Sequence, residues 1–201
     1  MFEKNDEKEL EKWGDLQTKC ENCTNCNLCH TRTHVVFGEG NLQSKIFFIG
    51  EAPGENEDLQ ARPFVGKSGI LLDNMLKSIG LSRSKNVYIA NIIKCRPPNN
   101  RNPTNFEQEE CISWLKFQLR FINPKIIVTL GRIPSKIIIS NKIKISEDHG
   151  KFFTKIIDKR DFLIMPMLHP SAILRNIYRK VVMEKDFLLL NHKMNELNIW
   201  F

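Results

Sequence analysis

The segment Ile46-Phe47-Phe48-Ile49-Gly50-Glu51-Ala52-Pro53-Gly54 is a short apolar run followed at once by a turn of small and acidic residues. An apolar run of this length that ends at glycine is typical of a strand buried on both faces. Similar runs follow at residues 87–93, 126–130 and 162–167, and helical patterns lie between them at residues 67–79 and 104–121. Strands that alternate with helices predict an α/β fold with a mainly parallel sheet.

Helical patterns also flank this alternation. Residues 3–19 carry Leu10, Trp13 and Leu16 at helical spacing, and the residues after Ala172 look largely helical. Inside the alternation, Thr104 and the glutamate three residues later have the spacing of a capping box, which predicts that a helix begins there.

Ligands of parallel α/β sheets bind beyond the carboxyl ends of the strands, which here are residues 50–58, 91–101 and 168–175. Three polar side chains stand out in these segments. Glu51 lies in an acidic loop, Asn91 ends an apolar run, and His169 follows the last run. An amide offers both a donor and an acceptor, as reading a base edge requires. Each of the three also has a structural alternative, which is a solvated turn for Glu51, a bond to a neighbouring loop for Asn91 and a purely structural role for His169.

Composition narrows the class of protein. The 201 residues are 41% hydrophobic and 26% charged, which excludes a disordered tail, a collagen-like repeat and a small disulfide scaffold. We expect one domain over residues 1–201. No apolar stretch approaches the length of a membrane span, and the first residues lack a secretory pattern, so we expect no membrane partner and a cytoplasmic, reducing compartment, at the nucleoid if the source is bacterial.

The net charge is +7 and the pI is near 9.1. Such a balance indicates either plain solubility or a polyanionic partner, most often nucleic acid. Apolar Ile173 and Leu174 stand beside Arg175, a mixture that suits insertion into a duplex flanked by phosphate contacts. The alternative for this segment is an ordinary helix start.

Six cysteines suggest a metal centre. Four stand in the pattern C-x2-C-x2-C-x2-C and two are distant. One ligand set uses the four clustered cysteines, and another combines one C-x-x-C pair with the two distant ones. Four thiolates suit either zinc or an iron–sulfur cluster, and the spacing leaves both open. The cysteines are Cys20, Cys23, Cys26, Cys29, Cys95 and Cys111.

The segment Phe64-Val65-Gly66-Lys67-Ser68 resembles the end of a phosphate-binding P-loop. However, the first glycine of that motif is replaced by Ala61, and the preceding residues do not form a strand pattern. We therefore expect no nucleotide cofactor.

Several of these segments together resemble the family 4 uracil-DNA glycosylases, the iron–sulfur branch of their superfamily. The resemblance covers residues 20–176. It rests on the order and spacing of Cys23-Thr24-Asn25-Cys26, Val35-Val36-Phe37-Gly38-Glu39-Gly40-Asn41, Gly50-Glu51-Ala52-Pro53-Gly54-Glu55, Arg62-Pro63-Phe64-Val65-Gly66-Lys67, Tyr88-Ile89-Ala90-Asn91, Lys94-Cys95-Arg96-Pro97-Pro98, Asn100-Arg101, Cys111 and His169-Pro170-Ser171. Departures from the family pattern are Ala61 in place of glycine, Ala90 in place of threonine, and the additional Cys20 and Cys29.

The resemblance implies a three-layer α/β/α fold with a central four-stranded parallel sheet. It also implies hydrolysis of the N-glycosidic bond of uracil in DNA. Phe64 would stack on the base, Asn91 would read its edge, and His169 would stabilise the departing anion. Glu51 would position water or stabilise the sugar cation, with Glu57 and Asp58 in reserve. The implied substrate-binding set is Glu51, Ala52, Glu57, Phe64, Asn91 and His169.

The same resemblance implies the cofactor and the partner. A structural [4Fe–4S] cluster would be held by Cys23, Cys26, Cys95 and Cys111, and it would clamp residues 1–30 onto the domain. The partner would be uracil-containing DNA, double- or single-stranded, bound by a monomer. Its contacts would come from Asn100, Ser171, Leu174 and Arg175.

Two other classes remain open. A non-catalytic iron–sulfur or zinc protein that binds DNA would explain the charge and the cysteines. An electron-transfer protein would use the clustered cysteines alone, and its cluster would survive the loss of Cys95 or Cys111.

Overall fold

In a computed structural model, the chain is described over residues 4–176 and 178–199, with residues 4–10 and 175 described by their backbone alone. The helices are α1 Lys4–Glu21, α2 Glu55–Gln60, α3 Lys67–Ser78, α4 Asn105–Ile122, α5 Arg132–Ile138, α6 Ile145–Asp148, α7 Pro170–Arg175 and α8 Arg179–Glu196. The strands are β1 Glu39–Gly40, β2 Ile46–Gly50, β3 Val87–Asn91, β4 Ile126–Leu130, β5 Phe153–Ile157 and β6 Arg160–Met167. Short 3₁₀ helices cover Asn27–His30 and Pro98–Asn100.

The central sheet contains the four strands that the apolar runs predicted. Its order is β1-β3-β2-β4-β6-β5, and the inner four strands pair in parallel. Every residue of β2, β3 and β4 is buried, which explains their uninterrupted apolar runs. The mainly parallel α/β sheet is therefore confirmed.

The sheet has six strands, two more than the four expected, because an antiparallel strand closes each edge. β1 is only two residues long, too short for an apolar pattern. β5 has three exposed residues at its centre and is only partly buried at its ends, and it joins β6 through Asp158 and Lys159, which both have positive φ. Two such residues form the tight turn that matches the twist of a hairpin.

Helices cover both faces of the sheet, which confirms the three layers. Along β2, Phe47 and Ile49 enter one apolar core, whereas Ile46 and Phe48 enter the other. The first core includes residues of α1 and α4, and the second includes residues of α3 and α8. Alternate side chains of a strand point to opposite faces, so this division follows directly from the strand geometry.

Two predicted helix features are confirmed. Thr104 Oγ1 accepts a hydrogen bond from Glu107 N, and the Glu107 carboxylate accepts one from Thr104 N, which completes the capping box of α4. In α1, Trp13 is buried against Phe37, Tyr88 and Phe121, with ring centroids 4.8–5.6 Å apart. The side chain of Leu10, also predicted to face the core, lies outside the described residues.

In the part of the chain that the structure describes, no helix combines the length and the apolar character needed to cross a membrane.

Candidate active site and thiol cavity

A cleft of about 490 Å³ opens at the carboxyl ends of the parallel strands. It is lined by residues that follow β2, β3, β4 and β6, as expected for an open α/β sheet. All of the predicted substrate-binding residues line this cleft: Glu51, Ala52, Glu57, Phe64, Asn91 and His169. Two of the four predicted DNA contacts, Asn100 and Ser171, line it as well.

Asn91 ends β3 and presents an unsatisfied acceptor to the cleft. Its Oδ1 is buried and has no hydrogen-bond partner among the described residues. Gly50 on the neighbouring strand makes this position possible, because a Cβ there would lie 2.2 Å from Asn91 Oδ1 and 2.6 Å from the Phe64 ring. A buried polar atom normally has a partner, so this oxygen points to a ligand that donates a hydrogen bond.

Phe64 is held in a strained backbone conformation beside Asn91. Its φ is +53°, a region that is unfavourable for a side chain of this size. Gly69 permits the loop to close, since a Cβ there would lie 1.8 Å from Phe64 O, and Arg83 donates to the same oxygen at 2.9 Å. The Phe64 ring lies 5.7 Å from the His169 ring, between centroids.

The acidic loop after β2 contains carboxylates with different environments. Glu57 Oε1 accepts hydrogen bonds from Val65 N at 2.9 Å and from Gly66 N at 2.8 Å, so it holds the loop that carries Phe64. Asp58 is 2% exposed, and its carboxylate accepts bonds from the backbone N–H groups of Thr33 and His34. Asp58 therefore fixes the N-terminal segment, and its reserve assignment to the active site is not supported by this placement.

Glu51 is the half-buried carboxylate of the cleft. Burial raises the pKa of the Glu51 carboxyl above its usual value, and the positive charge of Arg132 opposes that rise. Arg132 opens α5 immediately after β4 and also lines the cleft. The sequence reasoning missed it because the strand-end rule was applied to the other three strands and not to this one.

His169 has a defined tautomer because of its place at the start of α7. Its Nδ1 accepts a hydrogen bond from Ser171 N at 3.1 Å and lies 2.8 Å from Ser171 Oγ. A neutral imidazole whose Nδ1 is an acceptor carries its proton on Nε2. The ring is thereby fixed as an Nε2–H donor beside Phe64.

The predicted DNA wedge lies beyond the cleft. Leu174, on α7, is 53% exposed, a high value for a leucine. The side chain of Arg175, its predicted companion, lies outside the described residues. At the opposite rim, Asn100 accepts a hydrogen bond from Arg96 Nε at 2.8 Å.

A second, much smaller cavity, of about 10 Å³, is lined by five of the six cysteines. They include all four expected ligands and one of the two additional cysteines: Cys20, Cys23, Cys26, Cys95 and Cys111. None of the six cysteines forms a disulfide in the described chain. The described residues contain no group of three or more His, Cys, Asp or Glu side chains already arranged around a single metal ion.

Hydrogen-bond donors surround this thiol cavity. Arg32 Nη1 donates to Cys95 Sγ, and Lys94 N donates to Cys111 Sγ, both at 3.3 Å. The indole Nε1 of Trp114, which also lines the cavity, is buried and has no partner among the described residues. Two thiols already accept hydrogen bonds from N–H groups, and the Trp114 N–H still lacks an acceptor. The cavity therefore suits a bound group that carries several acceptor atoms.

Comparison with known proteins agrees with this arrangement. The family model of the uracil DNA glycosylase superfamily matches residues 37–191. A type-4 uracil-DNA glycosylase of Sulfurisphaera tokodaii is 45% identical over 170 residues, which cover 82% of this chain and 77% of that protein. The type-4 uracil-DNA glycosylase of Thermotoga maritima is 43% identical over 84% of this chain and 88% of its own length. That of Archaeoglobus fulgidus is 41% identical over 89% of this chain and 91% of its own length.

The match spans both the strands that build the cleft and the residues that line it. The resemblance drawn from the motifs is therefore confirmed: the chain belongs to the uracil-DNA glycosylase superfamily, among its type-4 members, and is a uracil-DNA glycosylase that acts in DNA repair.

Proposed function

We propose that the cleft accepts a uracil flipped out of DNA and that Glu51, Phe64, Asn91 and His169 carry out its removal. The observation that carries this proposal is the buried, unpartnered Oδ1 of Asn91 beside the Phe64 ring. A flipped base needs a flat apolar surface for stacking and polar atoms that match its edge. Both are present at the end of β3.

Asn91 selects uracil over cytosine. Uracil N3–H donates to Asn91 Oδ1, and Asn91 Nδ2 donates to uracil O4. Cytosine presents an acceptor at N3 and a donor at N4, so both bonds would be lost and a buried oxygen would remain unpaired. The loss of these two hydrogen bonds discriminates against cytosine more strongly than an apolar pocket could. Phe64 supplies the stacking surface, and its strained backbone is held by Glu57 and Arg83.

Bond cleavage leaves opposite charges on the two products. The electron pair of the C1′–N1 bond passes to uracil N1 and delocalises onto O2, while the sugar becomes an oxocarbenium ion. His169 Nε2–H donates a hydrogen bond to O2, which stabilises the anion where its charge develops. Water then adds to C1′ and loses a proton, which leaves an abasic site. The Glu51 carboxylate stabilises the sugar cation and orients that water, and Ala52 leaves space beside it.

DNA contacts surround this cleft. Asn100 and Ser171 contact the backbone near the flipped nucleotide, and Leu174 fills the gap that the base leaves in the stack, with Arg175 steadying the phosphate. Flipping a uracil out of single-stranded DNA costs less free energy than flipping it out of a duplex, because no base pair is broken. A pocket that accepts uracil from a duplex therefore also accepts it from a single strand, so both are substrates. The chain acts as a monomer in a reducing, cytoplasmic compartment.

The thiol cavity holds a [4Fe–4S] cluster. Cys23, Cys26, Cys95 and Cys111 are the ligands, and the lining thiols, the Arg32 and Lys94 donors and the unpaired Trp114 N–H support it. When bound, the cluster supplies thiolate–iron bonds that tie residues 1–30 to the rest of the single domain, residues 1–201. No step of base removal passes through it.

The test is excision of uracil from a labelled oligonucleotide, followed by alkaline cleavage of the abasic site. Asn91→Ala and His169→Ala are each expected to lower the single-turnover rate by about a hundred- to a thousandfold. Lys155→Gln, on the distant strand β5, serves as the matched control and keeps the wild-type rate. Variants that excise uracil at the wild-type rate would contradict the assigned pocket, and a wild-type protein that binds the DNA but releases no uracil would favour a role in binding alone.

A further inference from the structure

The thiol cavity contains one more cysteine than a cubane cluster needs. A [4Fe–4S] cluster takes four thiolates, and five of this chain's cysteines line the cavity. The additional one is Cys20, which departs from the family pattern. It lies in the last turn of α1 and is only 1% exposed, whereas Cys23 and Cys26 are half-buried.

Cys20 occupies the same cavity as the other ligands and does not merely precede them in sequence. It shares the lining of this cavity with Cys23, Cys95 and Cys111. Cys23 N donates to Cys20 O at 3.1 Å, so the chain turns tightly between these two residues. A tight turn with C-x2-C spacing is a usual way to present two thiolates to one metal centre.

The segment therefore contains two overlapping C-x2-C pairs that share Cys23. One pair is Cys23 with Cys26, and the other is Cys20 with Cys23. Either pair, combined with Cys95 and Cys111, gives four thiols around the cavity. Cys29 continues the same spacing but does not line the cavity, so the spacing alone does not define a ligand.

We propose that Cys20 is a reserve ligand that takes the place of Cys26. This inference rests on the cluster proposed above. In the exchange, the iron–sulfur bond to Cys26 breaks and one to Cys20 forms. The proton of the Cys20 thiol passes through solvent to the released Cys26 thiolate, and no electron is transferred. The half-buried Cys26 is more open to alkylation than the buried Cys95 and Cys111, and the buried Cys20 preserves the cluster when Cys26 is lost.

The experiment compares iron content and the visible thiolate-to-iron absorption of anaerobically purified variants. Cys26→Ala is expected to keep about four irons per chain. Cys20→Ala/Cys26→Ala is expected to fall below about one iron per chain, because only three cavity thiols remain. Cys29→Ala/Cys26→Ala is the matched control, and it keeps the iron of the single variant because Cys29 lies outside the cavity lining.

Equal iron loss in Cys26→Ala and in the Cys20→Ala/Cys26→Ala variant would overturn the proposal, as would equal retention in both. Failure of Cys26→Ala and Cys26→Ser to fold would also count against it, since a reserve ligand should rescue the fold. An iron-free wild-type protein would instead refute the cluster itself.

Discussion

Glu57 lines the cleft, and its hydrogen bonds hold the Phe64 loop, so we expect it to act by positioning that loop and not by activating water. Both backbone bonds end on the same oxygen, Oε1. Glu57→Gln keeps an acceptor oxygen at that place, so we expect uracil excision within about threefold of wild type. Glu57→Ala removes the acceptor and misplaces Phe64, with an expected loss of about ten- to a hundredfold. Single-turnover rates measure both effects, and an inactive Glu57→Gln enzyme would show that Glu57 is a base after all.

Arg132 counteracts the effect of burial on the pKa of the Glu51 carboxyl. Its positive charge lowers the pKa of a carboxyl that burial raises, so its removal lets that pKa rise further. The ionised carboxylate then forms only at higher pH. We expect Arg132→Gln to shift the acid limb of the excision rate to higher pH. The measurement is the single-turnover rate across the acidic range, with Arg160→Gln, at the far end of β6, as the control. An unchanged pH dependence of the excision rate in Arg132→Gln would show that Arg132 does not influence the ionisation of Glu51.

The individual site residues were predictable to different extents. Glu51, Asn91 and His169 could be found from sequence because each follows a strand of the parallel sheet. Asp58 was assigned with its neighbour Glu57, but the helix turns its side chain away from the cleft and into contact with Thr33 and His34. The direction of a side chain on one short helical turn depends on packing, which sequence spacing alone does not give.

Ala61, the residue that follows helix α2, has a backbone conformation that is more favourable for glycine. Ala61 has φ +54° and ψ +25°, and its N–H donates to Glu57 O. This explains why the family pattern has glycine here. We expect Ala61→Gly to relieve about 1 kcal/mol of strain and to raise Tm by about 2–4 °C. Calorimetry measures the change, and Ala172→Gly, inside α7, should lower Tm by a similar amount. A lower Tm for Ala61→Gly would show that the backbone of Ala61 is not strained.

The helices and strands were predictable where their signals are local or strongly periodic. The capping box of α4 and the buried runs of β2, β3 and β4 are of this kind. The edge strands were not, because β1 has only two residues and the apolar residues of β5 do not form a buried run, so both strands depend on pairing with a neighbour. Likewise, the positive φ of Phe64 is imposed by contacts from Glu57, Gly69 and Arg83.

We expect the net charge of +7 to favour DNA binding mainly through the cations near the cleft, and the salt dependence of affinity measures how many of them contribute. Lys67 and Arg132 line the cleft, and Arg175 is the proposed phosphate contact beyond it. Arg101, also at the cleft, is instead paired with Glu107. Each phosphate contact adds about 0.9 to the slope of log affinity against log salt on duplex DNA, because it releases condensed counterions. Three contacts therefore predict a slope of about −2.7. Lys67→Gln should reduce its magnitude by about 1.

Lys155→Gln is the matched control for this prediction, because it lowers the net charge by the same amount. Lys155 is exposed on the edge strand β5, away from the cleft, so its loss should leave the slope unchanged. The measurement is the Kd for a duplex that carries a stable abasic-site analogue, taken over a series of salt concentrations. An equal reduction of the slope in both variants would show that the charge of the whole molecule, and not the rim of the cleft, governs binding. A reduction in Lys67→Gln alone would place a DNA phosphate at the start of α3, beside the loop that carries Phe64.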